Sequence, residues 1–126
     1  MTICVIGSLR DIHRIQDIAG LLRNRGHQVL LPLDTSAGSF ADRQQAKREF
    51  MKGMYDQIKK CDTVLVVNDL PRGTMKGYIG PNSFLQLGLG MALGKSLFAL
   101  EKWDENLPYN EELNAMGISL LDLKLK

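Results

Sequence analysis

Four short clusters in this chain hold residue types that do chemistry, and three of them directly follow an apolar run. Gly7, Ser8 and Arg10 come after Thr2–Ile6, where a turn into a helix presents free backbone N–H groups, a hydroxyl and a guanidinium to an anion. Asn68 and Asp69 follow residues 63–67, and Glu101 follows residues 96–100; their strand-end position places Asp69 and Glu101 where a ligand can be touched. The fourth cluster is residues 80–95, GPNSFLQLGLGMALGK, in which Pro81 suits the first turn of a helix, Asn82 and Ser83 open it, and Gln86 stands one turn in. A carboxamide there hydrogen-bonds a hydroxyl but is neutral and a poor nucleophile, so Gln86 decides between binding and bond cleavage. Plainer roles compete at each position. Capping alone explains Ser8, Asp34 and Asp69 fit a loop, and Glu101 can pair with Lys102 or with solvent.

The elements that must position these groups alternate in type. Thr2–Ile6 is β-branched and apolar and reads as a buried strand; a helix over residues 10–25 follows, with Ile12, Ile15, Ile18, Ala19 and Leu22 on one face and Gly26 as its stop. Residues 29–33 read as a second strand and residues 34–42 as a polar loop ending in Asp42, a good N-cap. The helix Arg43–Lys60 carries Ala46, Phe50, Met54 and Ile58 at four-residue steps, with Lys59 and Lys60 at the negative end of its dipole. Residues 63–67 are the third strand. The glycine-punctuated segment 68–80, with Arg72, Gly73, Lys76 and Gly77, is long for a connection and reads as a lid or site loop. A helix from Pro81 to about Leu93, a strand over 96–100, a short helix over 109–115 and a strand over 118–122 complete the pattern.

Strand and helix alternation demands a parallel sheet with right-handed crossovers. Five strands predict a flavodoxin-like α/β three-layer sandwich of order 2-1-3-4-5, in one domain spanning residues 1–126. Ligands then sit beyond the carboxyl ends of the strands where the order reverses, between the first and third.

Composition excludes several function classes. With 44% hydrophobic and 24% charged residues and a net charge of +2, the chain is globular; its basic residues are interspersed with acidic ones, giving no nucleic-acid footprint. No apolar run reaches a membrane span and no signal-peptide pattern opens the chain, so a cytoplasmic protein is expected. Cys4 and Cys61 read as buried small hydrophobes, and His13 and His27 are separated by a helix, so no metal site is expected. No cofactor is expected either. A flavin or nicotinamide protein is the alternative on such a sheet, but no Gly-x-Gly-x-x-Gly follows the first strand and no run of hydroxyls is present to wrap a flavin phosphate. In the third helix Gly88, Gly90 and Gly94 each cost about 1 kcal/mol relative to alanine. Phe84, Leu85, Leu87, Leu89, Met91 and Leu93 make that helix apolar nearly all round, so it is buried in the monomer or, by preference, in a homo-oligomer interface.

Taken together, Ile6-Gly7-Ser8-Leu9-Arg10, the strand Cys61-Asp62-Thr63-Val64-Leu65-Val66-Val67, and Ser83-Phe84-Leu85-Gln86-Leu87-Gly88 with Ala92-Leu93-Gly94-Lys95 resemble the nucleoside 2-deoxyribosyltransferase-like family, which includes deoxynucleoside monophosphate N-glycosidases. The resemblance covers most of the chain in order, and the helix segment looks like the family's Glu-Leu-Gly-x-Ala-x-Ala-x-Gly-Lys. It implies a flavodoxin-like homo-oligomer that binds nucleosides or nucleotides and cleaves or exchanges their N-glycosidic bond through a glutamate. Gln86 stands at that glutamate's place, which removes the carboxylate that would attack or stabilise the anomeric carbon. Gly80 departs too, standing where relatives carry an acidic residue or a phosphate-binding serine; Ser83 at the helix start is its substitute. The resemblance therefore implies a nucleoside or nucleotide ligand at Gly7, Ser8, Arg10, Asn82, Ser83 and Glu101, with Gln86 on the sugar. Any surviving catalysis would recruit Asp69 as acid or base acting through a water, and a sensor or sequestering oligomer is the non-catalytic alternative.

Overall fold

A computed structural model describes residues 1–32 and 42–123 of the chain. Side chains alternate in β1 (Thr2–Ile6), with Ile3 and Val5 buried on one face and Cys4 and Ile6 on the other. A strand buried on both faces needs a layer of helix on each side. The first layer is α1 (Ile12–Asn24), whose Ile15, Ile18 and Leu22 close one core over Ile3 and Val5. After β2 (Gln28–Leu30), α2 (Arg43–Lys60) covers the opposite face with Phe50, Met54 and Ile58. β3 (Thr63–Val66) is buried along its whole length, and α3 (Pro81–Ala92) adds Leu87 to the core beneath α2. β4 (Ser96–Ala99), α4 (Asn110–Ala115) and β5 (Ser119–Leu120) finish the domain.

The sheet is parallel throughout, of order β2-β1-β3-β4-β5. Its pairing places Ile3, Cys4, Val5 and Ile6 opposite Thr63, Val64, Leu65 and Val66. The expected α/β three-layer arrangement and strand order are therefore present.

Boundaries differ in instructive places. The helix expected over 10–25 starts as a separate 3-10 turn, Leu9–Asp11, because Ser8 Oγ accepts the Arg10 N–H at 3.3 Å while the Asp11 N–H bonds to the Ser8 carbonyl. The second strand begins one residue earlier than expected and pairs only to Leu30; Leu33 and Asp34 lie outside the described residues. The last strand pairs only over Ser119–Leu120, since an edge strand has a neighbour on one side alone. Asp42 caps α2 as expected, accepting the Gln45 N–H at 2.8 Å.

The glycines of α3 do separate jobs. At Gly90 a Cβ would stand 3.0 Å from Leu97 Cδ2 and 3.1 Å from Val64 Cγ2, so this residue lets the helix lie close on β3 and β4. Gly94 does not belong to the helix interior: at φ +75° it ends the helix, with its N–H on the Met91 carbonyl and the Lys95 N–H on Gly90, a Schellman closure. Nor is α3 fully buried, because Leu85 (54% exposed), Met91 and Leu93 face outward. Among the described residues no helix is long and apolar enough to cross a membrane.

Candidate functional site

At the carboxyl edge, where β1 and β3 send their chains to opposite sides of the sheet, the described residues enclose an open cleft of about 1020 Å³. Each wall follows from a local necessity. β1 ends at Gly7, where a Cβ would meet Ile15 Cδ1 and the Val67 carbonyl at 3.1 Å; the turn it permits delivers Ser8 and Arg10 to the cleft. The Asp42 cap starts α2 at the same edge, so its first turns contribute Arg43 and Lys47. The segment after β3 adds Arg72 and Tyr78, and the start of α3 adds Gly80, Asn82 and Ser83.

The segment between β3 and α3 is anchored. Buried Asn68 donates from Nδ2 to the Glu101 carbonyl at 2.8 Å and to the Gly77 carbonyl at 3.4 Å, and its Oδ1 accepts the N–H groups of Leu100 and Glu101 at 3.1 Å. Gly77 has φ +65°, and a Cβ there would fall 2.1 Å from the Lys102 carbonyl oxygen. Tyr109 donates its hydroxyl to the Ile79 carbonyl and stacks on Phe84 at 4.4 Å between ring centroids. Burial, and secondarily Tyr78, lift its phenol above the ordinary value, which keeps it a neutral donor. Two ion pairs tie the same segment to the first helical layer: Arg14 grips Asp69 through Nε and Nη2 (3.0 and 2.6 Å), and Arg72 lies 3.6 Å from Asp11 and over the Tyr78 ring.

The start of α3 is the reverse case. Pro81 has no N–H, and the first bond of the helix runs from the Phe84 N–H to the Gly80 carbonyl, so the Asn82 and Ser83 N–H groups are left at its positive end. Ser83 is only 4% exposed and Gln86 8%, yet among the described residues neither side chain has a hydrogen-bond partner. Arg10, Arg43 and Lys47 likewise lack a carboxylate partner among the described residues. Such a site offers an anion or a hydroxylated ligand both charge and empty hydrogen bonds.

Of the residues expected to bind, Gly7, Ser8, Arg10, Asn82 and Ser83 converge on the cleft. Gln86 lies one turn behind Ser83 and is not part of the lining. Asp69 and Glu101 stand off it. Asp69 is engaged by Arg14, and Glu101 turns its side chain to solvent while Asn68 uses its backbone. Asp34 falls outside the described residues. Sequence reasoning missed Arg43, Lys47 and Tyr78 as lining, although a helix start at the carboxyl edge, just after an N-cap, is the signal that places the first two. Among the described residues no group of three or more His, Cys, Asp or Glu side chains can hold a metal ion.

No protein-family model matches the sequence, and no curated protein matches it. Solved structures do match over nearly the whole chain. The CMP N-glycosidase BcmB of Clostridium botulinum is similar with a TM-score of 0.60 at 19% identity, over 98% of this chain and 91% of that one. A 2-deoxyribosyltransferase of Bacillus psychrosaccharolyticus gives 0.64 at 18% identity, over 98% and 88%. A conserved protein of Enterococcus faecalis V583 gives 0.58 at 13%, over 98% and 92%. At such identities the likeness defines the fold, and the fold is that of the nucleoside 2-deoxyribosyltransferase-like proteins.

Proposed function

We propose that the chain binds a nucleoside or nucleotide in the cleft at the start of α3, without the carboxylate chemistry of N-glycosidic cleavage. The observation that carries this is the pair of largely buried polar side chains, Ser83 and Gln86, one turn apart on α3 and without a hydrogen-bond partner among the described residues, behind the cations Arg10, Arg43 and Lys47. The polar atoms of both side chains still reach solvent, since among the described residues only His27 Nδ1 is a fully buried side-chain polar atom without a partner; their hydrogen bonds are therefore open to a ligand that displaces water. Gly7, Ser8, Arg10, Asn82 and Ser83 take a phosphate or a sugar edge, and Gln86 hydrogen-bonds the sugar. The fold, shared with a CMP N-glycosidase and a 2-deoxyribosyltransferase, supports the same ligand class.

A neutral carboxamide does not offset the positive charge that develops on the sugar during cleavage. Asp69 would have to leave Arg14 before it served as acid or base through a water, and Asp42, the carboxylate in the cleft lining, is held by the Gln45 N–H at 2.8 Å. The function is therefore recognition, as a sensor or a sequestering protein. Leu85, Met91 and Leu93 on the outer face of α3 suit a second copy of the chain, so we also propose a homo-oligomer; light scattering on Leu85→Glu should register a smaller assembly.

Incubation with deoxynucleosides and their 5′-monophosphates, with free base followed by chromatography, tests the reading. Binding without base release is expected. Release that Gln86→Ala abolishes would make the protein an enzyme and overturn it. Gln86→Glu restores a carboxylate and should bring measurable release where the wild type has none.

A further inference from the structure

Arg43 and Lys47 stand four residues apart in the first turns of α2, where a helix presents its positive end. Cations there oppose the dipole, and no acidic residue in the first turn relieves them. Neither has a carboxylate partner among the described residues, and both line the cleft. Asp42, the carboxylate on the same wall, is turned to its own helix by the Gln45 N–H at 2.8 Å. The Asp42 cap offsets part of this placement, and among the described residues no ion pair to Arg43 or Lys47 offsets the rest. A second anion-binding cradle lies in the same cleft: the α3 start with its Asn82 and Ser83 N–H groups, the hydroxyl of largely buried Ser83, which has no partner among the described residues, and Arg10. Together the two offer more positive charge than one phosphoryl group uses.

Building on nucleotide binding at this cleft, we propose that the Arg43–Lys47 pair is a second phosphate subsite and that the preferred ligand is a nucleotide with two phosphoryl groups, a nucleoside diphosphate or a molecule containing one. The α3 start and Arg10 hold one phosphoryl group, and the guanidinium and ammonium of α2 hold the other through charge-assisted hydrogen bonds. The volume of about 1020 Å³ accommodates such a ligand.

Calorimetric titration at fixed ionic strength with a nucleoside, its 5′-monophosphate and its 5′-diphosphate, in the cytosine and adenine series, tests the subsite, with inorganic pyrophosphate as the anion alone. The diphosphate should bind about tenfold or more tightly than the monophosphate, and the advantage should shrink as salt is raised. In the double variant Arg43→Gln, Lys47→Gln the advantage should fall below about threefold, whereas Lys60→Gln at the far end of α2 should retain it. Equal binding of the two nucleotides by the wild type, or an advantage that survives the double variant, overturns the second subsite while leaving nucleotide binding intact. Failure of every nucleoside and nucleotide to bind overturns nucleotide binding itself, and pyrophosphate binding as tightly as the diphosphate overturns the nucleotide as the ligand.

Discussion

Two buried polar regions lie side by side in this fold and are finished differently. At Asn68 four hydrogen bonds reach the Gly77 carbonyl and the backbone of Leu100 and Glu101, and nothing on the side chain is left open. At Ser83 and Gln86, on the helix that the Asn68 segment leads into, nothing within the described chain bonds to two side chains that are largely buried but whose polar atoms reach solvent. A polar group buried and satisfied specifies structure; one whose polar atoms still reach solvent without a protein partner keeps its hydrogen bonds available to a ligand. The difference separates what holds the cleft in shape from what the cleft is for.

The comparison breaks first on the structural side. Gly77→Ala combines a left-handed backbone with a contact to the Lys102 carbonyl that no rotamer relieves, and it should cost about 4 kcal/mol or prevent soluble expression. Asn68→Ala strands the backbone groups it served and should lose about 2–3 kcal/mol in denaturant titration. Tyr109→Phe should lose about 1 kcal/mol by removing the bond to Ile79. Its pH dependence has a definite direction. The folded protein holds the phenolic proton more tightly than the unfolded chain does, so this contribution is complete below the ordinary value of 10.0 and disappears as the pH climbs through the raised folded value. Stability-against-pH curves of wild type and Tyr109→Phe should therefore run parallel below about pH 10, about 1 kcal/mol apart, and converge above it. On the open side, Ser83→Ala should change stability by no more than about 0.5 kcal/mol, because it breaks no bond in the free protein. A large loss there would show the two regions to be alike.

Much of the frame was legible in the residues. Five strands, their order and the bounds of α2 follow from periodicity and from Asp42 as a cap, both local properties of the chain. The cleft's polar lining at Gly7, Ser8, Arg10, Asn82 and Ser83 follows from topology, which puts strand ends and helix starts on one edge. What local pattern does not carry is the pairing of side chains distant in sequence. Asp69 was indistinguishable from a ligand-facing acid until Arg14, 55 residues away, was found gripping it. Glu101 owes its place to Asn68, which consumes the backbone and leaves the carboxylate outside. Gly94 was legible as a glycine but not as a helix end, since the Schellman bonds depend on where the last turn stops.

The central claim is that the open polar groups at the start of α3 and the cations beside them await a nucleotide. Isothermal titration of the purified protein with a nucleoside 5′-monophosphate and its diphosphate, for wild type and Arg10→Ala, tests it directly. Saturable binding, weakened about tenfold or more by Arg10→Ala, is the expected result. No heat of binding with either nucleotide in the wild type, or binding untouched by the loss of Arg10, would contradict it.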